Sequence, residues 1–492
     1  MSRQPLKELF GIDCRALAVF RIGLGVLLLV DLSWRALDLS AFYTDFGVLP
    51  RDVLFSRPTV PGTFSFHMWS GSVAYVSLLF VLAGMLALCV LLGLFTKPAL
   101  LLSWIFLISL HNRNEIILDG GDQLLRAFLF WSLFLPVGKR YSLDAIRKRT
   151  VPEGNWYCSM ATVALLAQMV IIYEFAGFSK TDPIWFKEGT ASFYVLASGQ
   201  FTTPLGLALL QFPALLKFLT FATLFLEIVV PLFAFLPYHT GRIRVWIVTL
   251  FCLFHLGLFL SLEIGFFPII CMLGWLPFLP APVWDRLERS PRLQAVGALF
   301  RRWFPTGSKQ EVIRARCARS LVSDALVGFF LVFILVWNFK TFDTRLGRHI
   351  PAPLIKLART LRLDQNWQLF SPRPPTELGW HVFVGTLCDG AQVDLLKGSG
   401  LVSWEQPERV SSIYERYRWR KYFKLFLSEP FAENRLYYCQ YLCRKWNQGQ
   451  PQNPLRMVEL YYLKTPLFPD QPSPPAERYL VWDIDCGDCL SR

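Results

Sequence analysis

Long apolar stretches, with neither the two-residue alternation of barrel strands nor the polar stripe of soluble helices, dominate the first two-thirds of this chain. A helix needs roughly 20 apolar residues to cross bilayer hydrocarbon, and only helices or closed barrels satisfy every backbone group there. The runs predict about nine spans, at 16–36, 72–95, 98–110, 121–137, 160–178, 214–236, 245–261, 264–279 and 321–339. The third and fourth are short and suit tilted or half-embedded helices. After Lys340 almost every long window carries a charge, so the pattern divides the chain into a membrane domain at 1–340 and a soluble domain at 341–492. The expected fold is an all-α polytopic bundle followed by a small α+β domain.

Within the second part the period changes. Trp380–Leu387 and Gln392–Leu396 flank Cys388-Asp-Gly-Ala391, where Asp-Gly supplies the positive-φ pair of a tight hairpin. Arg456–Lys464 and Tyr479–Asp485 read as two more strands. Ser412–Leu427 and Glu429–Trp446 set aromatics against Arg and Lys at helical spacing.

Composition agrees with a lipid solvent: 53% hydrophobic, 15% aromatic and only 17% charged, with a mean hydropathy of +0.38. The net charge of +14 does not point to nucleic acid, because the basic residues sit beside apolar runs, where anionic headgroups account for them. Taking the N-terminus as cytoplasmic, the segments on that side hold 20 Lys and Arg and the opposite segments 5. The bias places the N-terminus inside an inner, cytoplasmic membrane and, with nine spans, the C-terminal domain outside it. The basic, aromatic-rich segment 281–320, with Trp284, Leu287, Leu293, Phe300, Trp303 and Phe304, suits an anionic leaflet surface. Eleven scattered cysteines show no zinc spacing, and no metal is expected. Cys486-Gly-Asp-Cys489 has redox-motif spacing without a thioredoxin-like context, and reads as a structural disulfide or unpaired thiols.

An ionisable side chain inside the bilayer costs at least about 2.5 kcal/mol and so raises a functional question. Arg21, Asp31, Glu174, Lys180, Glu227 and His255 do so here. Arg21 has reach to the interface, Asp31 lies near the far end of its span, and Glu227 is four residues before Pro231, whose freed backbone groups it could bond. Lys180 follows the span at 160–178 in an apolar, aromatic segment where desolvation makes an amine a usable base, with Asp182 opposing that effect. The run Asn112–Asp122 is polar enough for a pore-facing turn or an exposed loop.

Three of these segments resemble vitamin K-dependent γ-carboxylase and its bacterial relatives, which share the horizontally transferred transmembrane (HTTM) domain. They are Leu17–Arg21 with Gly25 and Asp31; Gln168, Tyr173, Ala176-Gly177, Lys180, Asp182 and Trp185 with Glu188-Gly189; and Phe254-His255 with Ile264-Gly265. The resemblance implies that Lys180 is the base that deprotonates a reduced, vitamin K-like quinone, driving oxygenation-linked proton abstraction and carboxylation. Arg21, Tyr173, Asp182, Trp185 and His255 would line the binding site, and Asp31 and Glu227 would be structural intramembrane groups. A histidine of the carboxylase falls within 119–122, where this chain has Asp-Gly-Gly-Asp. Asp364–Pro372 resembles the tail of bacterial HTTM proteins and not the carboxylase's peptide-binding region. The expected partners are membrane lipids and an extracytoplasmic protein or peptide. The competing reading is a non-catalytic scaffold or lipid binder in which Lys180 only pairs with an acid; a transporter path through Arg21, Asp31, Glu227 and His255 lacks inverted halves.

Overall fold

The computed structural model describes residues 8–487, apart from 57–61, 149, 153, 292–293, 295–312, 316–319, 343, 399 and 429–430. Cys317, Cys489 and much of the basic segment, including Leu293, Phe300, Trp303 and Phe304, lie outside the described residues. The first part is helical: α1 (Cys14–Ala36), α2 (Val73–Leu92), α3 (Thr96–Arg113), α4 (Gly120–Ser132), α5 (Met160–Phe178), α6 (Pro213–Ile228), α7 (Thr240–Ser261), α8 (Phe267–Trp275), α9 (Ala281–Glu288) and α10 (Leu321–Phe342). Among the described residues, α1, α2, α5, α7 and α10 are long and apolar enough to cross a membrane. A sixth span arises if 267–278 and α9, bent by 100° at a short break, count as one.

Of the nine or so spans expected, five or six are present as helices long and apolar enough to cross, and the reasons the others fall short are visible in the short ones. The 13 residues of α4 extend about 20 Å at 1.5 Å per residue, well short of a bilayer core of about 30 Å. Nearly all of α4 is buried by neighbouring helices, including Asp122, Arg126 and Ser132, so protein and not lipid is its solvent. α3 has length but carries Lys97, Ser103, Ser109, His111, Asn112 and Arg113. α6 stops after 16 residues, before the separate turn Val230–Phe233.

Polar clamps hold the two ends of the bundle. At one end Asp13 caps α1 and pairs with Arg15 at 2.7 Å, and Arg15 also pairs with Asp285 and Glu288 at 2.7 and 2.9 Å, fastening α9 to the start of α1. Gly93 ends α2 at φ 65°, and a Cβ there would lie 1.6 Å from the Arg21 guanidinium. Only glycine combines that backbone with that neighbour. At the other end a buried network joins Asp31, Arg35, Tyr43, His111, Asp122 and Arg418.

The C-terminal part holds α11 (Ala352–Thr360), α12 (Tyr417–Phe426) and α13 (Glu433–Gly449) with strands β1 (Glu377–Leu387), β2 (Gln392–Asp394), β3 (Leu455–Pro466) and β4 (Glu477–Asp485). The strands form one antiparallel sheet in the order β2-β1-β3-β4. The hairpin at Cys388–Ala391 forms, with Gly385 opposite Val393, but Gly390 alone of the expected pair takes positive φ, at 87°. Phe383 of the sheet packs on Phe423 of α12 and Tyr438 of α13. This core continues without interruption into Phe42, Tyr43 and Val76 of the membrane part, while Ala358, Leu363 and Trp367 join the bundle core. Cys486 is bonded to Cys443 of α13.

Arg418 ties the two parts together: it leaves α12 to reach Asp31 at 2.7 Å and Asp122 at 3.1 Å, all three nearly or fully buried. Removing one member of such a set strands the rest in a low-dielectric interior at a cost of about 3–5 kcal/mol. Arg418→Leu should therefore lower the melting temperature of the detergent-solubilised protein markedly, and adding Asp122→Asn should restore part of the loss. An unchanged melting temperature for the single variant would mean that water reaches Asp31 and Asp122.

Candidate functional site

Lys180 lies two residues beyond the last turn of α5 and folds back over it. Its Nζ donates to the Ala176 carbonyl at 3.0 Å, an acceptor left open by the helix end, and to Glu227 Oε2 at 2.6 Å. Glu227 comes from α6, which approaches α5 closely because residue 177 is glycine: a Cβ there would lie 2.6 Å from Ile228 and 3.2 Å from the Glu227 side chain. The Trp185 ring centroid is 5.0 Å from the amine, completing a pocket in which Lys180 is 5% exposed. The partner of Lys180 is thus an acid on another helix. Glu227 is engaged by that amine, where the sequence suggested the groups near Pro231, and Glu174 forms no ion pair with it among the described residues.

Asp182 turns away from the amine. Its side chain accepts from the Ile184 amide at 3.0 Å, and its own amide donates to the Pro372 carbonyl. These bonds start the Ile184–Glu188 turn that aims Trp185 inward. The Trp185 indole in turn donates to the Phe370 carbonyl at 3.2 Å.

A cavity of about 900 Å³ opens beside this pair, between the bundle and the C-terminal domain. Lys180, Glu227, Tyr173, Trp185 and His255 all line it. The Tyr173 hydroxyl lies 2.5 Å from Nε2 of His255 and accepts from the Trp275 indole at 3.0 Å. The indole can only donate, so the phenol oxygen accepts from it, while the phenol and Nε2 share one hydrogen bond. Nδ1 of His255 is buried and has no partner among the described residues.

The roof is the segment that resembles bacterial HTTM tails. Gln365 exchanges two 3.0 Å hydrogen bonds with Gln168 of α5 and accepts from Trp367, and Gln123 of α4 accepts from the Asn366 amide. So anchored, Leu369, Phe370 and Ser371 form cavity wall, with Ser371 bonded to Ser179.

The remaining sequence candidates lie elsewhere. Arg21 is at the opposite end of α1, donating to the Tyr141 carbonyl at 2.5 Å, and does not line the cavity. Asp31 belongs to the Arg418 network. There the ligand atoms of Asp31, His111 and Asp122 lie within 4.8 Å of one another, but Arg35 and Arg418 donate to both carboxylates, so guanidinium groups fill the positions a cation would take. Asp119 lines the cavity where the carboxylase-like segment lacks histidine, and its carboxylate caps α4 through the Asp122 amide.

Sequence reasoning missed the cationic wall. Arg420, Lys421 and Lys424 of α12 also face the cavity, and their 0, +1, +4 spacing on a predicted helix was the available signal. Lys424 lines the cavity with protein atoms crowded around it, although its surface remains exposed. Burial, with Lys421 and Arg420 nearby, pushes its ammonium down from 10.5 to about 8. A lowered lysine pKa disfavours the charged form in the fold, so this residue costs stability below about pH 8, and the cost fades as pH rises from about 8 to about 10.5. NMR of ¹³C-methylated lysines, assigned with Lys424→Arg, should give a midpoint near 8; a midpoint near 10.5 would place the amine in water.

The sequence model of the HTTM domain matches residues 11–284, a span that includes Lys180, Glu227 and His255 and stops before the roof and the cationic wall. No curated protein and no solved structure matches the chain. With more than half its length matched, and with its apolar helices, the chain is an integral membrane protein that belongs to the HTTM-domain family.

Proposed function

We propose that this protein is a membrane enzyme that takes a reduced, quinone-like lipid into the cavity and uses Lys180 as the base. One observation carries the reading: the Lys180 amine is shielded from water yet lines a cavity of about 900 Å³, ample for a bicyclic ring. Nδ1 of His255, without a partner among the described residues, offers a polar contact for a ring oxygen or hydroxyl, and Trp185 and Phe254 offer aromatic faces.

The acid–base chemistry follows from the Lys180–Glu227 pair. Glu227 lies 2.6 Å from the Lys180 amine and is the group placed to take the proton that Lys180 loses before acting as a base. The amine then takes a hydroxyl proton, and the resulting ammonium balances the oxyanion. A reduced quinone supplies the electrons for oxygen addition, and the family resemblance extends the sequence to proton abstraction and carboxylation.

The protein is read as an inner-membrane protein with a cytoplasmic N-terminus and an extracytoplasmic C-terminal domain. Five spans, an odd number, keep the termini on opposite sides, and the Lys and Arg bias supports this orientation, as does the Cys443–Cys486 disulfide, which suits an oxidising compartment. A second reading, a non-catalytic lipid binder or scaffold serving an extracytoplasmic partner, is favoured by the saturation of Lys180 by Glu227 and Ala176.

Proteoliposomes supplied with vitamin K hydroquinone and oxygen, assayed for epoxide by chromatography, separate the two. Lys180→Ala should lower turnover by about 10²–10⁴, the usual contribution of a general base, and Glu227→Gln should lower it less. Equal turnover in wild type and Lys180→Ala would remove the base. A Lys180→Met variant that merely loses thermal stability, with no activity to lose, would favour the scaffold.

A further inference from the structure

A neutral ring beside Lys180 does not account for the other half of the cavity. On α12, Tyr417, Arg420, Lys421 and Lys424 fall on one face, and all line the cavity. Arg373 joins them, and the opposing acids on the walls are Asp119 and Glu377. Lys180 and Glu227 neutralise each other and Glu377 is paired with Lys464, so Asp119 is left to oppose the four basic groups and the walls keep a positive excess. Arg420 donates only to the neutral carbonyls of Gln200 and Glu263. Neither it nor Lys421 or Lys424 forms an ion pair among the described residues. The buried Tyr417 hydroxyl, like Nδ1 of His255, lacks a partner among the described residues.

The same cavity reaches the lipid-facing side of the bundle. Along their lengths α6 and α7 scarcely touch; the short helix Pro204–Leu209 and the turn Val230–Phe233 pack against α7 on either side of the gap. Cavity-lining residues come from both borders, Leu216, Leu219 and Thr223 of α6 and Leu253, Gly257 and Leu258 of α7. A Cβ on Gly257 would meet nothing within 4 Å, as expected at the edge of an opening. Leu253, at 60% exposure, borders the same opening.

From the stripe and the window together we infer that the cavity binds a phosphate-bearing lipid that enters sideways between α6 and α7. Its phosphate sits against Arg420, Lys421 and Lys424, with Tyr417 as a neutral donor, and its acyl chain occupies the window. A phosphate monoester carries about −1.5 to −2 charges at neutral pH, opposite in sign to the positive excess of this wall. The inference rests on reading this cavity as a ligand site. It does not require Lys180 to act as a base, so a failure of binding and a failure of turnover are separate results.

The test reconstitutes the full chain in phosphatidylcholine nanodiscs containing a few mole per cent of phosphatidic acid with a photoreactive diazirine on its acyl chain, and maps the crosslinked peptides. Crosslinks are expected on cavity-facing positions of α6 and α7, and far fewer with diazirine phosphatidylcholine. Lys421→Gln with Lys424→Gln leaves the carbonyl bonds of Arg420 intact and should lower labelling about tenfold or more, from about fivefold per basic group near an anionic lipid. Gly257→Phe projects into open space and should block the window with no loss of melting temperature. Labelling that survives the paired lysine substitution overturns the headgroup site. Labelling lost with the lysines but kept in Gly257→Phe overturns lateral entry, and full competition by millimolar inorganic phosphate overturns a lipid source in favour of a soluble anion.

Discussion

The acids Asp31, Asp122 and Glu227, taken into the interior of the bundle, are each met by a cation, most of them from distant segments, and the architecture depends on that constraint. Burying an ion costs several kcal/mol unless a well-placed partner and further hydrogen bonds offset it. Asp31 and Asp122 can occupy helix interiors because Arg35 and Arg418 meet them. Since Arg418 comes from the C-terminal domain, satisfying the bundle's acids also fixes where that domain sits. Its neighbours reinforce the position: Trp419 donates to Asp38, and Arg444 to the carbonyls of Phe46 and Gly47.

The cavity follows from this docking. The HTTM helices supply one wall, with Lys180, Glu227, Tyr173 and His255, and they would leave the wall open by themselves. The segment 364–372, bolted to Gln168 and Gln123, and the face of α12 close it. The two walls differ in character. One carries a compensated amine–carboxylate pair among aromatics, the other an uncompensated row of cations. A site with an apolar half and a charged half suits amphiphiles, and its position at a gap between two lipid-facing helices suits molecules already dissolved in the bilayer.

Short helices explain where hydropathy counting went astray. Runs such as 121–137 are apolar because other helices bury them, and an apolar run looks the same whether lipid or protein surrounds it. The interior polar residues Asp122 and Arg126 tell the two apart only once their partners are known. The bend after 267–278 likewise arises where Pro277 and Pro280 deny the backbone its donors.

The amino-acid sequence by itself determined the membrane character, the α+β nature of the tail, and its hairpin and strands, because these rest on local patterns of hydropathy and turn residues. It also carried the pairing of Asp31 with Arg35, four residues apart on one helix. Only the tertiary structure decided that Glu227 and not Asp182 holds Lys180, that Arg21 stands at the far end of the bundle, that Asp31 and Asp122 share Arg418, and that α12 walls the cavity. Each of those facts joins residues tens to hundreds of positions apart, and which opposite charge lies nearest is set by how helices and domain pack, a quantity that no local period encodes.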